Sequence, residues 1–285
     1  MHQVLQATKP IAIQGVQGSF HEIAAKKYFG NEIKLEMCDS FPGLFQAMES
    51  GRSSFGVVAI ENTVAGSILP NYALLRNSTY KVIGEVYLRI EHQLLGLNGS
   101  TIEELEEVYS HPMAINQCRH FFRAYPHIKL ISADDTAASA ARLAESQTAG
   151  QAAIASRLAA ETYELDILAE SIEDNKRNFT RFLIITDDMD FQAKEEEINK
   201  ASISFNVAHK VGHLSQILQV LSAYDMSLSK IQSSPIVGQE WQYFFHVDLE
   251  FDDYERFRQS LNAINPLLSE LKVLGEYPKG DKNVS

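Results

Sequence analysis

The feature that most constrains this chain is a change of rhythm about two thirds of the way along it. From Ile11 to about residue 186, short apolar runs alternate with helical patterns. Ile11-Ala12-Ile13 is followed by a glycine-bearing loop, Gly15 to Gly18. Ser19 with Glu22 then forms a capping box ahead of a helix over 22–29. Phe55–Ile60 is a continuous apolar strand of the kind buried on both faces of a parallel sheet. Gly66-Ser67 precedes a helical pattern through Tyr72 to Leu75, and Val82 to Leu97 holds two strand-like runs. Pro112 opens a helix reaching about Ala124, Thr136 heads an Ala-rich helix to Glu145, and Gln151–Ala155 is another buried strand. Such alternation predicts an α/β layer structure with a mostly parallel sheet, whose ligands bind at the carboxyl ends of the strands.

Between 187 and 200 the texture turns charged, with Asp187-Asp188 and Lys194-Glu195-Glu196-Glu197, as in a solvated linker. Beyond it the order is strand 203–207, helix 214–224, strand 227–233, strand 243–249, helix 254–264 and strand 271–277. This βαββαβ order is the ferredoxin-like unit, and a hairpin from Pro235 to Gln239 joins its middle strands. The expected division is therefore 10–186, a linker at 187–200, and a small domain over 201–280.

Charge and cysteine content exclude several functions. Lys+Arg 25 against Asp+Glu 37 gives a net charge of -12, which disfavours nucleic acid or an anionic membrane as partner. An anionic substrate would need a locally positive site. Cys38 and Cys118 show no CxxC spacing and suit a reducing cytoplasm. No signal-peptide pattern stands at the start, and no apolar stretch is long enough to span a membrane.

Candidate chemistry sits at two kinds of place. Gly18-Ser19, Gly66-Ser67, Ser110-His111-Pro112 and Asp135-Thr136 each put a small or hydroxyl residue where a helix begins. Backbone N–H groups there can hold a carboxylate, although plain N-capping needs the same residues. Asn178-Phe179-Thr180-Arg181-Phe182 leads into the apolar run Leu183-Ile184-Ile185, and Glu61-Asn62-Thr63 ends the strand over 55–60. Strand alternation sends Thr180 and Arg181 to opposite faces unless the backbone is irregular. A metal site at His209 and His213 is disfavoured, since Gly212 lies between them and no third ligand is near. Gly15-x-x-Gly18 lacks the rest of a dinucleotide fingerprint, and neither a nucleophile elbow nor a phosphate loop occurs. Cys118 reads as core.

Taken in order, these segments resemble the prephenate dehydratase family. The matching motifs are Gly15-Val16-Gln17-Gly18-Ser19-Phe20; Val57 to Thr63 with Gly66-Ser67; Ser110-His111-Pro112 with Gln117-Cys118; Asp135-Thr136-Ala137-Ala138; Ala152 to Ser156; and Asn178 to Phe182. The unit beyond residue 200 is similar to the ACT domain that follows the catalytic region in this family. With no chorismate mutase-type helical segment ahead of the match, the resemblance is to the monofunctional form.

The resemblance implies a catalytic region of two α/β lobes, like a type II periplasmic-binding-protein fold. It implies conversion of prephenate to phenylpyruvate, water and carbon dioxide in phenylalanine biosynthesis, with no cofactor and no metal. Thr180 would face the departing hydroxyl, matching the family's essential threonine, and Arg181 would hold a substrate carboxylate. Ser19, Asn62, Thr63, Gly66, Ser67, Thr136, Ala137, Asn178 and Phe179 would complete the substrate cradle. Phenylalanine, as effector, would bind the ACT unit at Gly212-His213-Leu214 and Gln232-Ser233-Ser234-Pro235. There His213, Gln232 and Ser234 replace the small residue, acid and base of the usual Gly-Ala-Leu and Glu-Ser-Arg-Pro motifs, which weakens the case for feedback control. A cytoplasmic homodimer or homotetramer is expected by analogy. Two alternatives stay open: arogenate as the substrate, and a sensor that binds a small acid without reacting it.

Overall fold

The computed structural model describes residues 9–188, 191, 193–207, 210–236, 238, 240 and 242–282. Its elements run β1 (Ile11–Gln14), α1 (Phe20–Phe29), β2 (Leu35–Cys38), α2 (Phe41–Glu49), β3 (Phe55–Asn62), β4 (Gly66–Ser67), α3 (Leu69–Asn77) and β5 (Lys81–Arg89). Next come β6 (Gln93–Gly96), β7 (Glu107–Ser110), α4 (Pro112–Gln117), α5 (Arg119–Phe122), β8 (Lys129–Ser132), α6 (Thr136–Ser146), β9 (Gln151–Ala155), α7 (Arg157–Thr162), β10 (Asp166–Ala169) and β11 (Phe179–Thr186). The carboxyl-terminal part holds β12 (Lys200–Asn206), α8 (His213–Ala223), β13 (Ser227–Pro235), β14 (Tyr243–Glu250), α9 (Tyr254–Ile264) and β15 (Glu270–Tyr277). The chain divides into two compact units: residues through Gly66 with Val86–Phe182, and Ser67–Glu85 with residues from Leu183 on.

Three sheets organise these elements. The first has the order β2-β1-β3-β11-β5, with β4 on β3, and β1 runs parallel to β2 and β3. The second has the order β10-β6-β9-β7-β8. In it β7 is parallel to β8 and β9, whereas β6 is antiparallel to both β9 and β10, so the sheet is mixed rather than mostly parallel. On one face of this sheet Leu94, Val108, Ala152 and Ile154 pack with Ile115, Cys118 and Phe122; on the other Leu95, Ala153 and Ala155 pack with the alanines of α6 and α7. Removing each large aliphatic side chain from water stabilises by roughly 1.5–3 kcal/mol.

The third sheet, β13-β14-β12-β15, has the ferredoxin-like order expected from βαββαβ. Its core is built around Phe205, Ile217, Leu221, Val247, Phe257 and Leu261. Lys200, in the interval read as linker, opens β12. Its side chain is 1% exposed, with Nζ 2.9 and 3.0 Å from the two carboxylate oxygens of Glu85. Glu250 stands 3.5 Å from the same ammonium, and the Gly280 amide donates to Glu85 at 3.0 Å.

Two predicted helices come out differently. Gly66-Ser67 is a two-residue strand, not a helix start; the helix begins at Leu69, with Pro70 in its first turn and no side-chain cap from Ile68. The helix expected over 112–124 breaks at Cys118 into α4 and α5. Asp174 takes over the groups a continuous helix would use. Its amide donates to the Gln117 carbonyl at 2.6 Å, and its carboxylate accepts from the His120 amide at 3.0 Å. The hairpin expected from Pro235 to Gln239 ends on Gln239, which, like His209, lies outside the described residues.

Candidate active site

The site is best built outward from the end of β3. Asn62 Oδ1 accepts from the backbone amides of Val64 and Ala65 at 2.9 and 2.8 Å, so its oxygen is fixed by two donors in the loop that follows. Asn62 Nδ2 must then face the other way. It donates to Asn178 Oδ1 at 2.7 Å and to Thr180 Oγ1 at 3.0 Å. Asn178 Nδ2 donates to Gln117 Oε1 at 2.9 Å, and Gln117 Nε2 closes back toward Asn62 Oδ1 at 3.5 Å. The break in the helix at Cys118 leaves Gln117 as the last residue of α4, where its side chain reaches this ring of amides.

β11 is pinned beside β3 by reciprocal bonds. The Thr63 amide donates to the Phe179 carbonyl at 2.8 Å, and the Phe179 amide donates to Thr63 Oγ1 at 2.9 Å. Thr63 Oγ1 in turn donates to the Arg177 carbonyl at 3.0 Å. Thr63 therefore fastens the strand, and Thr180 follows in regular extended backbone. Thr180 is only 8% exposed, yet its hydroxyl meets an amide rather than hydrocarbon. Arg181 is buried, and strand alternation sends it to the face opposite Thr180.

A second cluster gathers helix starts. Ser19 caps α1 by accepting from the Glu22 amide at 3.3 Å, while Glu22 Oε2 reaches back to the Gly18 amide at 2.8 Å. Asp135, rather than Thr136, caps α6, accepting from the Ala138 amide at 2.9 Å. A side chain on Gly15 would meet both caps, Ser19 Cβ at 3.2 Å and Asp135 Oδ2 at 3.5 Å, so the two helix starts face one another across this glycine. Thr136 is half-buried at the first position of α6. The Ala137 methyl is fully buried in the α6 core, which leaves its backbone amide as the group able to meet a ligand.

The lobes touch at Gly18. Its φ is +81°, and a Cβ there would lie 2.6 Å from Ala159 Cα. Ser156 Oγ donates to the Gly18 carbonyl at 2.6 Å, and Tyr163 Oη donates to the Gln17 carbonyl at 2.9 Å. Only glycine combines that φ with so close an approach.

The two clusters are linked by a residue the sequence reading did not select. His92 packs edge-on against Phe20, ring centroids 5.7 Å apart, and its Nε2 lies 3.0 Å from Gln117 Oε1. Burial pushes the ring's pKa below its ordinary value, against the opposing pull of Gln117 and Glu173. Gln117 itself carried a legible signal, an amide beside the apolar positions Ala114, Ile115, Cys118 and Phe122. Ser67, by contrast, belongs to the second unit and sits in β4 with Gly66.

In that second unit, Gly212 has φ 80° and precedes α8; His213 is half-buried, and Leu214 packs on the core of the third sheet. Gln232, Ser233, Ser234 and Pro235 lie along β13, an edge strand. Gln232 Nε2 donates to the Ser233 carbonyl at 2.8 Å, and Ser234 Oγ is 3.2 Å from His246 Nε2.

Two α/β lobes and a ring of side-chain amides around Thr180, in a chain that also carries a ferredoxin-like unit, define a type II periplasmic-binding-protein-like framework furnished for small-molecule chemistry. The prephenate dehydratase family model matches residues 11–190. The bifunctional chorismate mutase/prephenate dehydratase of Aquifex aeolicus (strain VF5) is 36% identical over 271 residues, which make up 94% of this chain and 73% of that one. A solved prephenate dehydratase from Arthrobacter aurescens, described in complex with L-Phe, superposes with TM-score 0.86 at 25% identity, covering 97% of this chain and 92% of that one. GqqA, described as a novel type of quorum quenching acylase, superposes with TM-score 0.86 at 27% identity, covering 95% and 98%. Fold likeness alone does not fix a reaction; the family does. The chain belongs to the prephenate dehydratase family. It is an enzyme of phenylalanine biosynthesis that converts prephenate to phenylpyruvate, water and carbon dioxide.

Among the described residues no group of His, Cys, Asp and Glu could hold a metal ion, and no helix is long and apolar enough to cross a membrane. Cys38 and Cys118 are buried free thiols, and burial pushes both pKa values up.

Proposed function

We propose that the Thr180 hydroxyl donates to the departing ring hydroxyl of prephenate, and that Asn62 sets the direction of that donation. The supporting observation is the Asn62 Nδ2–Thr180 Oγ1 hydrogen bond of 3.0 Å. Because Asn62 can only donate there, Thr180 Oγ1 accepts, and its own hydrogen is available for the substrate. In the reaction the ring carboxylate leaves as carbon dioxide and its bonding electron pair moves into the ring. The C–O bond breaks, and the leaving hydroxide is stabilised as charge builds on it. A threonine hydroxyl is too weak an acid for simple proton transfer, so a preoriented hydrogen bond is the effect at work.

The helix starts at Ser19 and at Thr136-Ala137 supply amides and positive dipole ends suited to the substrate's carboxylates. Asn62, Thr63, Asn178 and Phe179 form the floor, Gly66 and Ser67 follow it in sequence, and Arg181 is the candidate guanidinium for a carboxylate that lies on the face of β11 opposite Thr180. Residues 10–186 are the catalytic region, 187–200 the connection and 201–280 the regulatory ACT unit. Phenylalanine, named with the Arthrobacter structure, is the candidate effector at 212–214 and 232–235. Edge strand β13 offers the surface for a cytoplasmic homodimer or tetramer.

The test is turnover of purified protein with prephenate and with arogenate, following phenylpyruvate absorbance and phenylalanine release. Thr180→Ala should lower kcat on prephenate by roughly two to four orders of magnitude; near-full turnover would remove Thr180 from the chemistry. Arg181→Lys should raise KM, and unchanged constants would end its assignment.

A further inference from the structure

We propose that His92 is a positioning residue for the dehydration: its Nε2–H bond to Gln117 completes and holds the far end of an amide chain whose near end orients the Thr180 hydroxyl toward substrate. The inference rests on the reading of Thr180 as a donor and deepens it.

The polarity follows from counting hydrogens. Asn62 Oδ1 is held by two backbone N–H donors, from Val64 and Ala65, which can bond only to oxygen. Both hydrogens of Asn62 Nδ2 are then spent, one on Asn178 and one on Thr180. The Asn178 atom facing Asn62 must be its oxygen, so Asn178 Nδ2 faces Gln117, and the Gln117 atom it meets must also be oxygen. That same oxygen is 3.0 Å from His92 Nε2. A bare Nε2 would aim its lone pair at the lone pairs of Gln117, so Nε2 carries the hydrogen.

A neutral ring has one N–H, which leaves Nδ1 bare; Nδ1 is buried and has no hydrogen-bond partner among the described residues. Burial that favours the uncharged imidazole agrees with this tautomer. The backbone that carries the ring is held on both sides. The His92 amide donates to Glu173 Oε2 at 2.9 Å, its carbonyl accepts from the Ile172 amide at 2.8 Å, and the Phe20 ring stands against the imidazole with their planes nearly perpendicular. Glu173, the titratable group bonded to the His92 backbone, is itself paired with Lys176 at 3.5 Å and lies 4.0 Å from Arg89. The chain is thus fixed at both ends, by loop amides at Asn62 and by a clamped ring at His92. Reversing Asn178 or Gln117 would set like groups against each other and cost Asn62 Nδ2 its bond to Asn178, loosening the amide that meets Thr180.

The experiment is two-bond 1H–15N correlation on 15N-histidine-labelled protein, with His92 assigned by loss of its signal in His92→Gln. Wild type should show the Nε2–H tautomer; an Nδ1–H ring overturns the proposal. In Asn178→Asp the carboxylate cannot donate, so Gln117 must turn its amide nitrogen toward both neighbours. His92 should then switch to the Nδ1–H form, and an unchanged tautomer in a folded variant also overturns the proposal. In kinetics, His92→Leu should lower kcat roughly 10- to 100-fold with KM within about threefold, the scale of a misplaced reacting group. His92→Gln, whose side-chain nitrogen reaches the Nε2 position, should recover most of that loss; equal losses in the two variants would reduce His92 to packing. Should the tautomers behave as stated while Thr180→Ala keeps full turnover, the relay stands and the donor role of Thr180 falls.

Discussion

The polar ring around Thr180 and the segment Gln232–Pro235 were both reached from five- or four-residue motifs, yet they are built on opposite plans. Around Thr180 each amide answers another amide or a backbone group, so the ring is oriented before any ligand arrives. On β13 the polar side chains turn to their own backbone or to one neighbour, as Gln232 does to Ser233 and Ser234 to His246. Catalysis gains from groups that need no reorganisation as charge moves. An effector site works through a ligand that changes its surroundings, and so gains nothing from being complete in its absence.

The variant expected to act most strongly on this contrast is Asn62→Asp. The substitution is isosteric, but a carboxylate would accept from Thr180 and turn its hydrogen inward. We expect kcat to fall by about 10²–10³-fold, as when one preorganised donor is lost. Retained turnover would show that the direction of the Thr180 hydrogen is unimportant. Ser234→Ala, in the segment proposed to bind effector, should leave kcat in the absence of effector within about twofold, since a surface change of this kind alters little. Calorimetric titration of the wild type with phenylalanine should give saturable heat accompanied by inhibition. Absence of both would make the ferredoxin-like unit of this chain structural.

The smallest effect expected is on pH and stability, and it probes one histidine in each unit. Burial holds His21, packed against Phe41 and Phe182, at about 3, and His246, beside Tyr72 and Arg76, at about 4. Both native values lie below the unfolded value of about 6.5, so only the unfolded chain binds the proton as pH falls. The stabilisation is complete above pH 6.5 and is lost on acidification, at about 1.4 kcal/mol per pH unit for each residue, down to the native pKa. Urea unfolding at pH 7 and pH 5 should show the loss, and His246→Gln should flatten only its own share. Equal slopes with and without His246 would mean that the native ring does take up the proton.

Much of this architecture was legible because it is local. Capping at Ser19 and Asp135, the apolar strands and the βαββαβ order all depend on residues within a few positions of one another. The motif at 178–182 and the polar end of β3 were legible for the same reason. What could not be read was the partnership between them. Asn62 and Thr180 are 118 positions apart, and the direction of their bond is decided by the amides of Val64 and Ala65. His92 was missed because nothing in Glu91-His92-Gln93 distinguishes a clamped ring from a surface one. The break at Cys118 was invisible for a related reason: the groups that interrupt the helix come from Asp174. Ser67 was misplaced as a helix start because glycine and serine fit the end of a short strand equally well.

The ion pair between Lys200 and Glu85 has a practical bearing on how the protein can be divided. A cut in the charged interval before Lys200 looks harmless on the sequence, but it would strip a buried carboxylate on β5 of its counter-charge and of the Gly280 amide together. An uncompensated charge of that kind costs about 3–5 kcal/mol, a large part of what holds an ordinary domain folded. A truncated dehydratase should therefore be poorly folded for reasons unrelated to regulation, and replacing Glu85 with methionine should restore much of its yield.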